Sequence, residues 1–243
     1  MTTATPTATV PQLNLPGQAA APAGRADTFM MYLMHHGYRR DLDDFVACVP
    51  LTPVADRATW RALAARWTAF ADALHHHHTA EDEHLWPALH AHSTDDEAAV
   101  LDAMEAEHSE IDPLLARCAS GFQQMVDAGD DSVRGDLATT LIAATESLAR
   151  HLGHEESEAM TLVQKYFDHD GWSALEKKFG ADMKPTDLFW MIPWLLKGLS
   201  SADRADVMGR VPAPMRLIGR IAEPFFRRTE RRAFFYDARP QAA

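Results

Sequence analysis

The chain has 243 residues, enough to bury a full core in one domain with an appendage, and its hydrophobic fraction of 47% is ordinary for a globular protein. A formal net charge of −12 excludes the basic footprint of a general nucleic-acid binder. The two cysteines, Cys48 and Cys118, each fall in an apolar helical pattern. They read as small buried hydrophobes, not as a disulfide framework.

Residues 1–24 are rich in Thr, Ala and Pro and carry no Lys or Arg. They lack the basic start and apolar run of a signal peptide, which predicts a disordered tail on a cytoplasmic protein. Four long segments with helical periodicity follow, and almost nothing points to strands. The first runs from about Asp27 to Cys48 and stops near Pro50 and Pro53. The second runs from about Arg57 to His90, with Pro87 near its end. Asp95 and Asp96 open a third, which ends at Gly129-Asp130-Asp131, and Ser132 is a candidate cap for a fourth that ends near Asp168 to Gly171. Short links between long helices predict an all-α, up-down-up-down four-helix bundle over residues 25–168. Residues 169–243 form a C-terminal helical extension, with helices expected at Trp172 to Phe179, Asp187 to Leu199 and Pro214 to Tyr236. No apolar run approaches the roughly 18–20 residues that span a bilayer.

One pattern occurs twice. His35 is followed by His77-x-x-x-Glu81, and His108 by His151-x-x-x-Glu155. A His and a Glu four residues apart share one helix face. All six side chains fall inside the apolar stripes, for example Met31, His35, Tyr38 and Leu42 on the first helix. A carboxylate within a core stripe is costly unless a positive charge meets it. Imidazole and carboxylate bind divalent first-row metals without thiolate help, so two such half-sites make a two-metal centre. The turns near residues 93 and 130 lie midway between consecutive ligands, and the one near 57 nearly so, which lets the six share one level of a bundle.

The neighbouring histidines are weighed in the same way. His77 lies on the stripe with Glu81 four residues on, and His78 is its nearest competitor. His35 shares a face with Met31 and Leu42, whereas His36 shares one with Arg40 and Asp43. His154 and Glu158 form a second i, i+4 pair that is rotated towards water. Asp112, four residues after His108, is a candidate acceptor for its second ring N–H, or else a plain helix acid. Trp67, Phe70 and Leu148 are expected to keep water from the ligands.

With these residues in view, the chain resembles the hemerythrin-like family, in its HHE cation-binding branch. The resemblance is carried by His35 before Arg39-Arg40-Asp41-Leu42, by His77-His78-Thr79-Ala80-Glu81-Asp82 before Trp86-Pro87, by Glu107-His108, and by His151-Leu152-Gly153-His154-Glu155-Glu156. It implies a four-helix bundle around a non-haem di-iron centre, with Glu81 and Glu155 bridging two iron ions and two of the four histidines completing each metal. The oxygen-carrier pattern has five histidines and two carboxylates. Four histidines here imply a more open site, suited to peroxide or nitric oxide more than to reversible oxygen transport. The implied partner is a small diatomic ligand or peroxide, bound or sensed. A second reading is a di-iron enzyme that decomposes hydrogen peroxide or nitric oxide. A third is a structural bundle whose basic C-terminal helix meets a membrane or a protein partner. No catalytic side chain outside the metal set, no phosphate-cradling loop and no nucleotide-binding strand is found.

Overall fold

The computed structural model describes residues 9–181, 183–184 and 186–239. Among them the chain is all-α, with one isolated bridge between Val10 and Gly24. The helices are α1 (Phe29–Cys48), α2 (Arg57–Ala80), α3 (Trp86–His90), α4 (Asp95–Asp127), α5 (Asp131–His154), α6 (Met160–Tyr166), α7 (His169–Phe179), α8 (Asp187–Leu196), α9 (Ser201–Arg210) and α10 (Ala213–Ala233). Glu81–Leu85 joins α2 to α3 and Glu155–Ala159 joins α5 to α6, each as a single π turn. The helix expected from about 57 to 90 is thus continuous, with one widened turn inside it. The same holds for the expected fourth helix.

Short polar side chains set the helix starts. Asp56 accepts from the Thr59 N–H at 3.1 Å, and Glu97 reaches back to the Thr94 N–H at 2.9 Å in a capping-box contact. Asp130, not Ser132, caps α5: its carboxylate accepts from the N–H groups of Ser132 and Val133. Helix α9 was not expected from the sequence; Ser200 caps it by accepting from Asp203 N–H at 3.1 Å. No helix of the described residues is long and apolar enough to cross a membrane.

The chain divides into two compact units. The first takes residues up to 35, 77–108 and 150–182, and the second takes 36–76, 109–149 and 183–243. The expected C-terminal extension is thus split, with α7 in the first unit and α8 to α10 in the second.

The core of the first unit gathers Met31, Tyr32, Leu85, Trp86, Leu101, Met104, Met160 and Trp172. The expected tail is only partly outside the description, at residues 1–8. Residues 9–24 are packed, which corrects the expectation of disorder for that stretch. Leu13 and Leu15 are buried, Gln12 donates to the Ala26 carbonyl at 2.9 Å, and Gln18 donates to the Tyr32 carbonyl at 2.7 Å. At Gly24 the chain passes so close to Gln164 that a Cβ would sit 1.9 Å from its Oε1. The stretch is poor in large apolar side chains, but side-chain amides satisfy its backbone.

The second unit has an aromatic core: Phe45 meets Trp67, Phe122 and Phe234 with ring centres 5.2–5.3 Å apart. Trp67, Phe70 and Leu148, expected beside the ligands, are buried residues of this unit. Cys48 and Cys118 are free and buried, as the apolar pattern predicts, and burial pushes the Cys118 thiol up to about 12. Helices α8 and α10 pack together, and at Gly219 a Cβ would come within 2.6 Å of Ile192. Gly219 is what allows this close approach.

Candidate metal centre

The first unit brings together all six residues singled out by the repeated pattern. The donor atoms of His35, His77, Glu81 and Glu155 lie within 4.8 Å of one another. A second group of the same tightness contains His78, Glu81, His108 and His151. Glu81 belongs to both. The two groups are further tied by His151 Nε2, 3.5 Å from Glu155 Oε2, and within the second His108 Nε2 lies 3.7 Å from Glu81 Oε2. All seven residues are buried.

His78 is the correction to the expected set. His77 was preferred over it, yet the structure buries both. The His78 ring stacks on His108 with centres 4.0 Å apart and meets His151 edge-on at 5.3 Å. The cluster therefore gathers five histidines and two carboxylates as candidate donors, one histidine more than the expected set. His35 and not His36 enters the cluster. His36 belongs to the second unit, where burial, then the Arg40 charge, lowers its pKa to about 4.

Three further carboxylates orient the rings, and sequence reasoning missed all three. Glu156 Oε1 lies 2.9 Å from His35 Nδ1, Asp82 Oδ1 lies 2.9 Å from His108 Nδ1, and Glu107 Oε2 lies 2.9 Å from His151 Nδ1. With Nδ1 engaged, each ring turns Nε2 inward: His35 and His77 approach at 3.3 Å between Nε2 atoms, and His108 and His151 at 3.1 Å. An outer carboxylate fixes the tautomer and raises the basicity of a ligating imidazole. Asp112, the candidate partner of His108, is exposed as a plain helix acid would be, and Asp82 lies at the ring instead. His154, expected to face water, is half-buried and shares Glu107 with His151 at 3.0 Å. A signal was present: each orienting carboxylate sits next to a cluster residue in sequence, Asp82 after Glu81, Glu107 before His108 and Glu156 after Glu155.

The two π turns begin at Glu81 and Glu155 themselves. Such single-turn widenings occur often at functional sites. A further contact ties the N-terminal stretch to the site. The Ala19 N–H donates to Glu156 Oε2 at 3.0 Å, and the Tyr32 hydroxyl donates to the Glu156 carbonyl at 3.2 Å.

The electrostatics fit a cation. Burial, then the nearby Glu155 carboxylate, pushes Glu81 well above the usual carboxylate range. Burial, then the neighbouring rings of His35 and His78, holds His77 well below the usual imidazole range, in the neutral form that ligates metals. Two buried acids thus lie side by side, ringed by imidazoles. The donor set, imidazole nitrogens with carboxylate oxygens, suits first-row divalent metals.

The chain matches the hemerythrin HHE cation-binding domain over residues 27–163, more than half its length, and belongs to that family. Among curated proteins and among solved structures, no match is found.

Proposed function

We propose that His35, His77, His78, Glu81, His108, His151 and Glu155 hold two iron ions, with Glu81 and Glu155 bridging them, and that this pair binds or senses a small ligand such as dioxygen, nitric oxide or peroxide. The observation that carries this reading is the sharing of Glu81 by two tight donor groups. A carboxylate common to both relieves the repulsion of two neighbouring cations. Iron held there would supply Lewis acidity and redox chemistry to the small ligand. The chain's own part is to supply neutral imidazoles, to fix their tautomers through Glu156, Asp82 and Glu107, and to bury the ligand set from bulk water. Cys48 and Cys118 belong to the other unit, so the donor set is nitrogen and oxygen only.

Metal content of the purified, untagged protein tests this. About two irons per chain are expected, falling to near zero in the Glu81→Ala/Glu155→Ala variant. One zinc per chain, or no metal, overturns the di-iron reading. Turnover then separates the binder from an enzyme. A binder returns nitric oxide or peroxide unchanged, and consumption over many cycles makes the same centre catalytic.

A further inference from the structure

Helix α10 has two apolar faces. One packs inside the second unit through Gly219, Ala222, Phe226 and Ala233. The other faces solvent: Leu217, Ile221 and Phe225 recur every four residues and are 59%, 54% and 62% exposed. Phe189 of α8, 41% exposed, extends this stripe, its ring centre 5.8 Å from that of Phe225. An exposed stripe of four large side chains on neighbouring helices is more than the scattered hydrophobes of an ordinary surface.

The charges beside the stripe point to the occupant. At 100° per residue, Arg228 and Arg232 continue the row of Leu217, Ile221 and Phe225, and Arg220 and Arg231 flank it. These four arginines are exposed and form no hydrogen bond or ion pair with the described residues. Other arginines of the C-terminal helices are paired: Arg204 and Arg227 both bind Glu223, and Arg239 binds Asp44 and Asp237. Four arginines without a carboxylate partner thus cluster beside the exposed apolar stripe, on a chain of net charge −12.

We propose that the outer face of α10 docks on an anionic phospholipid surface, with Leu217, Ile221 and Phe225 entering the headgroup boundary and the four arginines meeting lipid phosphates. A convex stripe of large apolar side chains edged by arginines fits a plane of mixed apolar and anionic character. An acidic protein partner would match the arginines as well, and the vesicle test below separates it from a lipid surface. The chain's overall negative charge does not prevent the contact, because charges more than about 10 Å away are largely screened at 0.1 M salt.

The test is co-sedimentation of the full chain with vesicles of phosphatidylcholine alone or mixed with phosphatidylglycerol. Binding to the anionic vesicles only, weakening as salt is raised, is expected. Leu217→Gln/Ile221→Gln/Phe225→Gln and Arg220→Gln/Arg228→Gln/Arg231→Gln/Arg232→Gln are each expected to weaken it by at least about tenfold. All seven side chains are exposed, so helix content and metal content should stay as in the wild type. Absence of binding, equal binding to neutral vesicles, or binding untouched by either variant overturns the proposal. So does a dimer that the apolar variant alone converts to monomer in a protein that ignores vesicles, since the stripe would then be an interface between copies.

Discussion

Both units bury acids, and they resolve the cost in opposite ways. In the second unit Asp41 and Glu230 are buried, but Arg66 reaches both, donating from Nε to Glu230 at 2.6 Å and from its other arm to Asp41. Arg40 pairs with Asp41 at 2.9 Å, the Trp194 indole N–H donates to it at 2.7 Å, and Lys197 closes on Glu230. Burial alone pushes Asp41 up, but Arg66, then Arg40 and Lys197, with the Trp194 N–H, hold it at about 2. In the first unit Glu81 and Glu155 are as deeply buried, and their near neighbours are imidazoles. There burial wins, and Glu81 is pushed well above the carboxylate range. The lesson is that a buried acid is not in itself a sign of a metal. Arginine and lysine meet the Asp41 and Glu230 carboxylates, whereas imidazoles surround Glu81 and Glu155, the donor set of a cation-binding site.

The largest expected effect breaks the self-sufficient side. Arg66→Ala strands Asp41 and Glu230, and losing one partner of a buried ion pair typically costs about 3–5 kcal/mol. Urea unfolding of the metal-loaded protein should show a loss of that size. Bound metal should stay at the wild-type level under native conditions, because Arg66 belongs to the second unit. Loss of metal without loss of stability would mean that the two clusters are not separate in kind.

On the metal side, Glu156→Gln keeps the shape and removes the charge that fixes His35. Outer-shell substitutions of this type typically cost about 10–100-fold in metal affinity. Competition against a chelator measures it, and Asp112→Asn, an exposed change, should leave the affinity as it is. Equal behaviour of the two variants would remove Glu156 from the site's working parts.

The two clusters also part in their response to acid. Asp41 has its folded pKa lowered from 3.8 to about 2. Its contribution is therefore present above pH 4 and is lost as pH falls from about 4 through about 2. The shift corresponds to roughly 2 kcal/mol. Urea titrations between pH 5 and pH 2.5 should show that decline in wild type and a shallower one in Asp41→Asn. Parallel curves would mean that the Arg66 network does not hold the Asp41 charge.

Much of the first cluster was legible because a metal site leaves polar residues at apolar positions of a helix. His35, His108, His151, Glu81 and Glu155 each break a stripe, and each lies where the stripe predicts. The choice between His77 and His78 was not legible by the same logic. Adjacent residues on a helix differ by 100°, and periodicity admits only one of them to a face. The structure seats both, one in each donor group. The Asp41 network left no pattern at all, since Arg66 and Glu230 are 164 residues apart and look in sequence like ordinary surface charges. Helix α9 was hidden by its own composition, Ser201–Arg210 being mostly polar with Val207 alone buried. The packing of residues 9–24 was hidden for a related reason, because backbone and amide contacts that leave little trace in hydropathy hold most of it.

That N-terminal stretch gives the smallest and most discriminating expected effect. It reaches the cluster through the Ala19 N–H on Glu156 Oε2, while the other oxygen of Glu156 holds His35 Nδ1. Ala19→Pro removes that one donor, because proline has no N–H. Leu13 and Leu15 still anchor the segment. A carboxylate relieved of one donor is a stronger acceptor but a less well positioned one, and these changes oppose each other at His35. Metal release to a chelator should therefore speed up by no more than about tenfold, well short of the Glu156→Gln effect. Helix content should not change. A release rate as fast as that of Glu156→Gln would show that the backbone contact, and not the charge, is what holds Glu156 against His35. An unchanged rate would show that His35 and Tyr32 are enough to hold it.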